Sequence, residues 1–222
     1  MTLTDIKFEH LKTDYHIYLP YLSNLHEDFG GPSVYFHQQA LIECSQNFLS
    51  NRHIEMIYAT LSSWGMHRMG KTKTKMVSFD IFKSSVMKMA SDLEELRFLN
   101  LTQFDYPPND LLQRIQHICF RLQVSISNSK IVGNSKALAH IIPNLVPPID
   151  RQYSIRFFAQ KLANFKDTNE EASFYLHILQ KCFELVQILK FDPHITIDNR
   201  FNSSLPKIFD NLLMIFLKKS TG

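Results

Sequence analysis

The residue types best suited to chemistry lie in one stretch of the chain, residues 131–158. A glycine and a lysine, Gly133 and Lys136, stand near a predicted helix start. A proline-rich crossing follows, and then an aspartate–arginine pair, Asp150 and Arg151, opens another predicted helix. Backbone N–H groups and a lysine at a helix start can bind a phosphate group, and a carboxylate can stabilise positive charge or activate water. This stretch is therefore where the sequence predicts chemistry.

Residues 129–139 fit a helix-hairpin-helix motif, in which a glycine turn between two short helices directs N–H groups at a DNA phosphate. Gly133 would form the turn, and Ala137 would be the small residue that close helix packing requires. An aspartate, Asp150, follows beyond the second helix. The layout of Gly133, Lys136, Ala137 and Asp150 resembles the helix-hairpin-helix DNA glycosylase superfamily.

The resemblance implies a catalytic role for Asp150, which would stabilise positive charge developing on a sugar or activate water. Gly133 and Lys136 would anchor the phosphate backbone, and Trp64 or Tyr153 would fill the gap left by a flipped base. Alignment on Gly133 and Ala137 places Ser135, rather than Lys136, at the family's catalytic-lysine position, which favours a non-lyase or purely DNA-binding role. The predicted nucleic-acid contacts of this region are Gly133, Asn134, Ser135, Lys136, Arg151 and Tyr153.

The same residues also have a structural interpretation. A side-chain oxygen of Asp150 can cap the helix that begins at Arg151, and Lys136 can be a solvated residue in a first helical turn. The sequence leaves both interpretations open, so it does not decide whether the protein is an enzyme.

A second group of candidate contacts lies in a basic, glycine-bounded connection over residues 64–75. Arg68, Lys71 and Lys73 have the charge to contact phosphates, and Trp64 has the ring to stack on a base. The alternative is a solvated connection with Trp64 in the core, because Trp64 closes an apolar helical pattern.

A third candidate segment covers residues 202–211. Lys207 and Asn211 are four residues apart on a predicted helix and therefore share a face. They could meet Asp150 across a cleft, and Lys207 is accordingly a predicted nucleic-acid contact.

These three segments carry a second resemblance, which spans most of the chain and implies no particular function. Similar segments occur together in a family of microbial hypothetical proteins. Here they are Ser63-Trp-Gly-Met66, Ser135-Lys-Ala-Leu138 with Pro148-Ile-Asp-Arg151, and Ser204-Leu-Pro-Lys207 with Asp210-Asn211.

Composition excludes several classes of protein and site. The net charge of +3 permits an anionic partner without requiring one. The three cysteines are far apart among apolar neighbours, and the ten histidines include no HExxH motif, so we expect no disulfide framework and no metal site. Walker and GxGxxG motifs are absent, so we expect no cofactor. With no signal layout and no apolar run of membrane length, the sequence predicts a cytoplasmic protein without membrane association.

Helical periodicity dominates the chain, and alternation typical of strands is nearly absent. The sequence predicts a compact all-α, multi-helix bundle of helix-hairpin-helix type, forming a single domain over residues 1–222 with a possible lobe boundary near 105–109. The predicted function is nucleic-acid binding, with action on a DNA base as a further expectation. The alternatives are a non-catalytic helical protein-interaction module, or a small-molecule enzyme centred on Asp150 with Arg151 and Lys207.

Overall fold

The fold is entirely helical in the part of the chain that the structure, a computed structural model, describes: residues 3–28, 32–66, 74–159, 165–198 and 201–220. No strand forms within these ranges, and one isolated antiparallel bridge joins Met76 to Ser125. The all-α prediction is confirmed. The α-helices are α1 (Leu3–Asp14), α2 (Ser33–Gln46), α3 (Asn51–Leu61), α4 (Phe79–Met87), α5 (Ala90–Leu96), α6 (Asn109–Arg121), α7 (Ile131–Ile141), α8 (Arg156–Ala159), α9 (Thr168–Leu189) and α10 (Leu205–Ser220).

Helix α9 begins one residue away from the cap that its sequence predicts. Thr168 followed by Glu171 predicts a capping box, but the N-cap residue is Asp167, whose carboxylate accepts hydrogen bonds from the N–H groups of Asn169 and Glu170. The capping-box prediction is therefore wrong, because Asp167 already satisfies the first free N–H groups of the helix. Glu171 is left to bind elsewhere.

The apolar stripe of α9 faces one hydrophobic core, as its spacing predicts. Helices on both sides of residues 105–109 contribute buried side chains to this core. The buried residues of α9 include Tyr175, Ile178, Leu179, Cys182, Leu185, Val186 and Leu189. No helix in the described ranges is long and apolar enough to cross a membrane.

Helix α7 is the central helix of the described structure. It packs against α2, α3, α6 and α9, and every residue from Gly133 to Ile141 is buried. Its polar residues Asn134, Ser135, Lys136 and His140 therefore lie in the interior. Buried polar groups have to find partners inside the protein, so the sequence of α7 requires a polar network around it.

Two turns, Ser62–Met66 and Arg151–Ile155, carry candidate residues. The first, Ser62–Met66, ends α3 and contains Gly65 at a φ of 80°, a left-handed conformation that glycine adopts without a steric cost. The second, Arg151–Ile155, is capped by Asp150 and leads into α8. Both turns bring polar or aromatic side chains against the central helix.

Candidate functional site

Two lysine–aspartate pairs from separate parts of the chain meet beside α7, in what we call the polar centre. It brings together the first and third candidate segments of the sequence, with Ser154 between the two pairs. Its members are Lys136, Asp150, Ser154, Lys207, Asp210 and Asn211.

The first pair joins α7 to the turn after the proline-rich crossing. Lys136 Nζ lies 2.8 Å from Asp150 Oδ2, and the other carboxylate oxygen accepts a hydrogen bond of 2.7 Å from the N–H of Gln152. Asp150 thus combines the ion pair with the helix cap that its position predicts. The Lys136 side chain is 10% exposed, whereas that of Asp150 is 32% exposed. The carboxylate is the member of this pair that solvent reaches.

The charge of Asp150 depends on its neighbours. Burial raises the pKa of this carboxyl group, but the charge and hydrogen bond of Lys136 and the N–H groups of Gln152 and Tyr153 lower it by more. The net pKa lies below the ordinary value. Asp150 is therefore an ionised carboxylate at neutral pH.

The second pair lies within the first two turns of α10. Lys207 Nζ is 2.9 Å from Asp210 Oδ2 and also donates a short hydrogen bond to Asn211 Oδ1. Its ammonium group lies 4.1 Å from the centre of the Phe201 ring. Burial lowers the pKa of Lys207, and the carboxylate of Asp210 opposes that change. This pair is enclosed by protein.

A serine connects the two pairs. Ser154 Oγ accepts a hydrogen bond of 3.1 Å from the N–H of Asp150 and donates one of 3.0 Å to Asp210 Oδ1. Through Ser154, Asp150 is therefore connected to Asp210, the carboxylate that pairs with Lys207. Nothing in the local sequence marked Ser154, because its role depends on a residue 56 positions away.

Two histidines and Trp64 form a layer over the Lys136 end of the polar centre. His140 Nδ1 lies 2.7 Å from the carbonyl oxygen of Lys136, and His140 Nε2 lies 2.8 Å from His37 Nδ1. A carbonyl only accepts, so His140 Nδ1 carries the proton, and neutral His140 then accepts from His37 Nδ1–H. The Trp64 ring centre is 5.2 Å from that of His140 and 5.6 Å from Lys136 Nζ.

Sequence reasoning missed both histidines. His140 follows Lys136 by four residues, a spacing that places them on one helical face. His37 comes from α2 and has no local signal at all. The partial burial of Trp64 against this layer agrees with the structural interpretation of that residue.

Gly133 lies inside α7, which begins at Ile131, so the prediction that it forms a hairpin turn is wrong. The reason for a glycine here is close packing. A Cβ atom at this position would come within 3.0 Å of Val124 Cγ1 and 3.1 Å of Met66 Cε. The residue lets the loop before α7 and the turn after α3 approach the helix backbone.

The N–H groups at the start of α7 are bound within the protein. The Glu171 carboxylate accepts from the N–H groups of Lys130 and Ile131 at 2.9 and 3.0 Å and from Ser129 Oγ at 2.6 Å. Glu171 therefore satisfies the N–H groups of Lys130 and Ile131, which have no partner within the helix.

The remaining predicted contacts on α7 are also engaged inside the protein. Asn134 Nδ2 donates to the carbonyl oxygens of Cys119 and Leu122, at 2.7 and 2.9 Å. Ser135 Oγ accepts from the N–H of Ile149 at 3.0 Å. Both residues are buried, as are Gly133, Lys136 and Lys207. Their observed roles are internal hydrogen bonds, ion pairs and packing.

Other predicted contacts fall in different environments. Arg151 is exposed and Tyr153 is partly exposed, both directly after Asp150. Arg68, Lys71 and Lys73 lie outside the described residues. No group of three or more potential metal ligands occurs in the described part of the chain.

Exposed cations collect around Tyr153. Lys218, in the last turn of α10, places its ammonium group 6.0 Å from the centre of the Tyr153 ring. Arg156 follows Tyr153 by three residues and is exposed. We call this surface the basic strip, and it consists of Arg151, Tyr153, Arg156, Lys218 and Lys219.

Comparisons of this chain with protein-family models, with curated proteins and with solved structures found no match.

Proposed function

We propose that the protein binds nucleic acid along the basic strip and that Asp150, at its edge, acts on the bound strand. One observation carries the proposal. The partly exposed, ionised carboxylate of Asp150 caps the same turn that presents Arg151 and Tyr153. Cations that attract phosphates thus lie within one helical turn of a carboxylate suited to sugar or base chemistry.

Binding would depend on exposed side chains and not on a hairpin of backbone amides. Arg151, Arg156, Lys218 and Lys219 are all exposed, and a cation next to a phosphate releases counterions, which makes binding favourable and dependent on salt. The N–H groups at the start of α7 donate to Glu171 instead. The nucleic acid would therefore contact the basic strip and not the start of α7.

The chemistry proposed for Asp150 is electrostatic or general-base catalysis. An ionised carboxylate stabilises positive charge that develops on a sugar as a base leaves, and it can also accept a proton from an attacking water. Lys136 would keep the carboxylate ionised. Lyase chemistry through the Lys136 amine is disfavoured, because this ammonium group is buried and ion-paired at 2.8 Å.

A titration of a labelled oligonucleotide across a salt series tests binding. We expect affinity to fall steeply with salt. A variant with Arg151→Gln and Lys218→Gln should bind more weakly. The slope of log affinity against log salt should also become less steep, by about two. The matched control is Arg52→Gln with Lys88→Gln, two exposed cations outside the strip, which should leave both quantities nearly unchanged. A flat salt response would refute the proposal and favour the interaction-module or small-molecule alternatives.

The release of bases from damaged DNA tests the role of Asp150. Asp150→Asn keeps an oxygen that can cap the helix while it removes the charge. We expect at least about a hundredfold loss of release, the scale of general-acid–base contributions, with binding retained. Equal activity in both proteins would remove Asp150 from the chemistry.

A further inference from the structure

The basic strip continues into a second aromatic ring, and we infer from this arrangement that it binds single-stranded nucleic acid by stacking unpaired bases on Tyr21 and Tyr153. The inference rests on the proposed function and specifies the form of its ligand.

The two tyrosines flank the end of α10, and each has a lysine over its ring. Lys219 Nζ lies 4.0 Å from the centre of the Tyr21 ring, and Lys218 Nζ lies 6.0 Å from that of Tyr153. The two lysines are consecutive in the last turn of the helix. Each ring therefore has a cation beside it at the C-terminal end of α10, and Tyr21 is 45% exposed.

Two ring–cation pairs at one end of a helix match the chemistry of a single strand. An unpaired base offers a flat face to an aromatic ring, and the phosphates on either side offer charge to the adjacent cations. In a duplex the face of each base is covered by the neighbouring bases, so the tyrosine rings would have no free face on which to stack. The sequence predicts that free N–H groups of a hairpin contact duplex DNA. At the start of α7, however, the N–H groups of Lys130 and Ile131 donate to Glu171.

Each lysine also has a partner, the aromatic ring beside it, when no ligand is bound. A cation over an aromatic face is attracted by the ring, so both lysines are already positioned beside the faces that bases would use. On binding, each ammonium group exchanges its ring for a phosphate. The rings would then become available for stacking.

The test compares a labelled oligothymidine of about twelve nucleotides, within the range of single-strand site sizes, with a duplex of equal length at one salt concentration. We expect wild type to bind the single strand at least about tenfold more tightly. Tyr21→Leu and Tyr153→Leu should each weaken single-strand binding about tenfold, with little effect on the duplex. Tyr153→Phe keeps the ring and should bind as wild type does.

Controls separate this inference from the proposed function. Tyr106→Leu removes a highly exposed tyrosine outside the strip and should leave affinity unchanged. Thermal unfolding verifies that each variant is folded, and Tyr21→Leu, at an exposed position, serves if Tyr153→Leu does not fold. Salt-dependent binding without strand preference, or Tyr variants that bind normally, would overturn the single-strand inference alone. Failure to bind either nucleic acid would overturn both proposals.

Discussion

The two lysine–aspartate pairs of the polar centre have the same chemistry and nearly the same length but different surroundings. The Lys136–Asp150 contact is 2.8 Å, with side chains 10% and 32% exposed, and the Lys207–Asp210 contact is 2.9 Å, with side chains 5% and 11% exposed. One carboxylate faces solvent beside the basic strip, and the other is enclosed. Burial, and not the pairing itself, therefore distinguishes the pair that solvent reaches from the pair that is enclosed.

The enclosed Lys207–Asp210 pair belongs to a network of hydrogen bonds within the protein. Both oxygens of Asp210 accept hydrogen bonds, from Ser154 and Lys207, and Lys207 also binds Asn211. Asn211 in turn donates to the carbonyl oxygen of Phe201. Each group has several protein partners, so loss of one would leave others unsatisfied.

The largest expected effect is that of Lys207→Met. Removal of one partner leaves the Asp210 carboxylate buried without its counter-charge, which costs about 3–5 kcal/mol. Urea unfolding would measure this loss in the free energy of unfolding. The matched control is Lys181→Met, which breaks the more exposed i,i+3 pair with Glu184 and should cost less than about 1 kcal/mol. Similar losses in both variants would contradict the structural role of Lys207.

Acid should destabilise two buried histidines, His140 of α7 and His53 of α3, which is hydrogen-bonded to the His140 carbonyl oxygen. Burial lowers the pKa values of His53 and His140 from 6.5 to about 4. His53 Nδ1 accepts from the N–H of Leu49, and its Nε2 donates to the carbonyl oxygen of His140, so the neutral form fits its partners. Protonation of His53 would replace the acceptor at Nδ1 with a donor.

The sign of this pH dependence follows from proton binding. Between pH 6.5 and 4 the unfolded chain binds more protons at these histidines than the folded protein does, so stability is present above pH 6.5 and is lost as pH falls towards 4. The loss between pH 7 and 5 should be about 2 kcal/mol per histidine. Unfolding at both pH values would measure it. His53→Gln should reduce the slope, whereas His10→Gln, at an exposed position, should not.

A smaller effect is expected for the solvent-facing pair. Lys136→Met leaves Asp150 unpaired, but water can reach that carboxylate, so the cost should be about 1–3 kcal/mol and below that of Lys207→Met. The pKa of Asp150 should rise, because burial would no longer be opposed by Lys136. NMR titration of the Asp150 carboxyl group would measure the change. A pKa that stays low would show that the helix cap alone keeps the group ionised.

The smallest effect should come from Gly133→Ala. Alanine is favoured in helices by about 1 kcal/mol, but the new Cβ would press on Val124, whose position is fixed by packing. We expect a net destabilisation of about 1 kcal/mol, with the Lys136 pair disturbed and the Lys207 pair unchanged. Chemical denaturation and side-chain NMR signals would measure the two effects. A stabilised variant would show that α7 has room to move.

The sequence predicted those features of the site that depend on local spacing. Asp150 caps the helix after it, and Lys207 and Asn211 share a face of α10, as their positions along the chain require. The helical class followed from apolar periodicity. Each of these outcomes involves residues within one or two helical turns of each other.

Long-range partners could not be predicted in this way. Glu171 follows Thr168 at capping-box spacing, yet its carboxylate binds residues about 40 positions earlier, at the start of α7. Gly133 was assigned to a turn because a glycine needed for close packing has the same sequence signal as a glycine needed for a turn. The role of His37 depends wholly on the packing of α2 against α7.

The most direct test of the difference between the two pairs uses the unmodified protein. NMR spectra recorded while oligothymidine is added would report on the backbone N–H of Gln152 and Tyr153 beside Asp150, and on the side-chain amide of Asn211 beside Lys207. We predict saturable shifts at Gln152 and Tyr153, with the Asn211 amide unchanged. Equal shifts at both places, or binding that leaves Gln152 and Tyr153 unmoved, would contradict the assignment of Asp150 to the functional surface and of Lys207 to the fold.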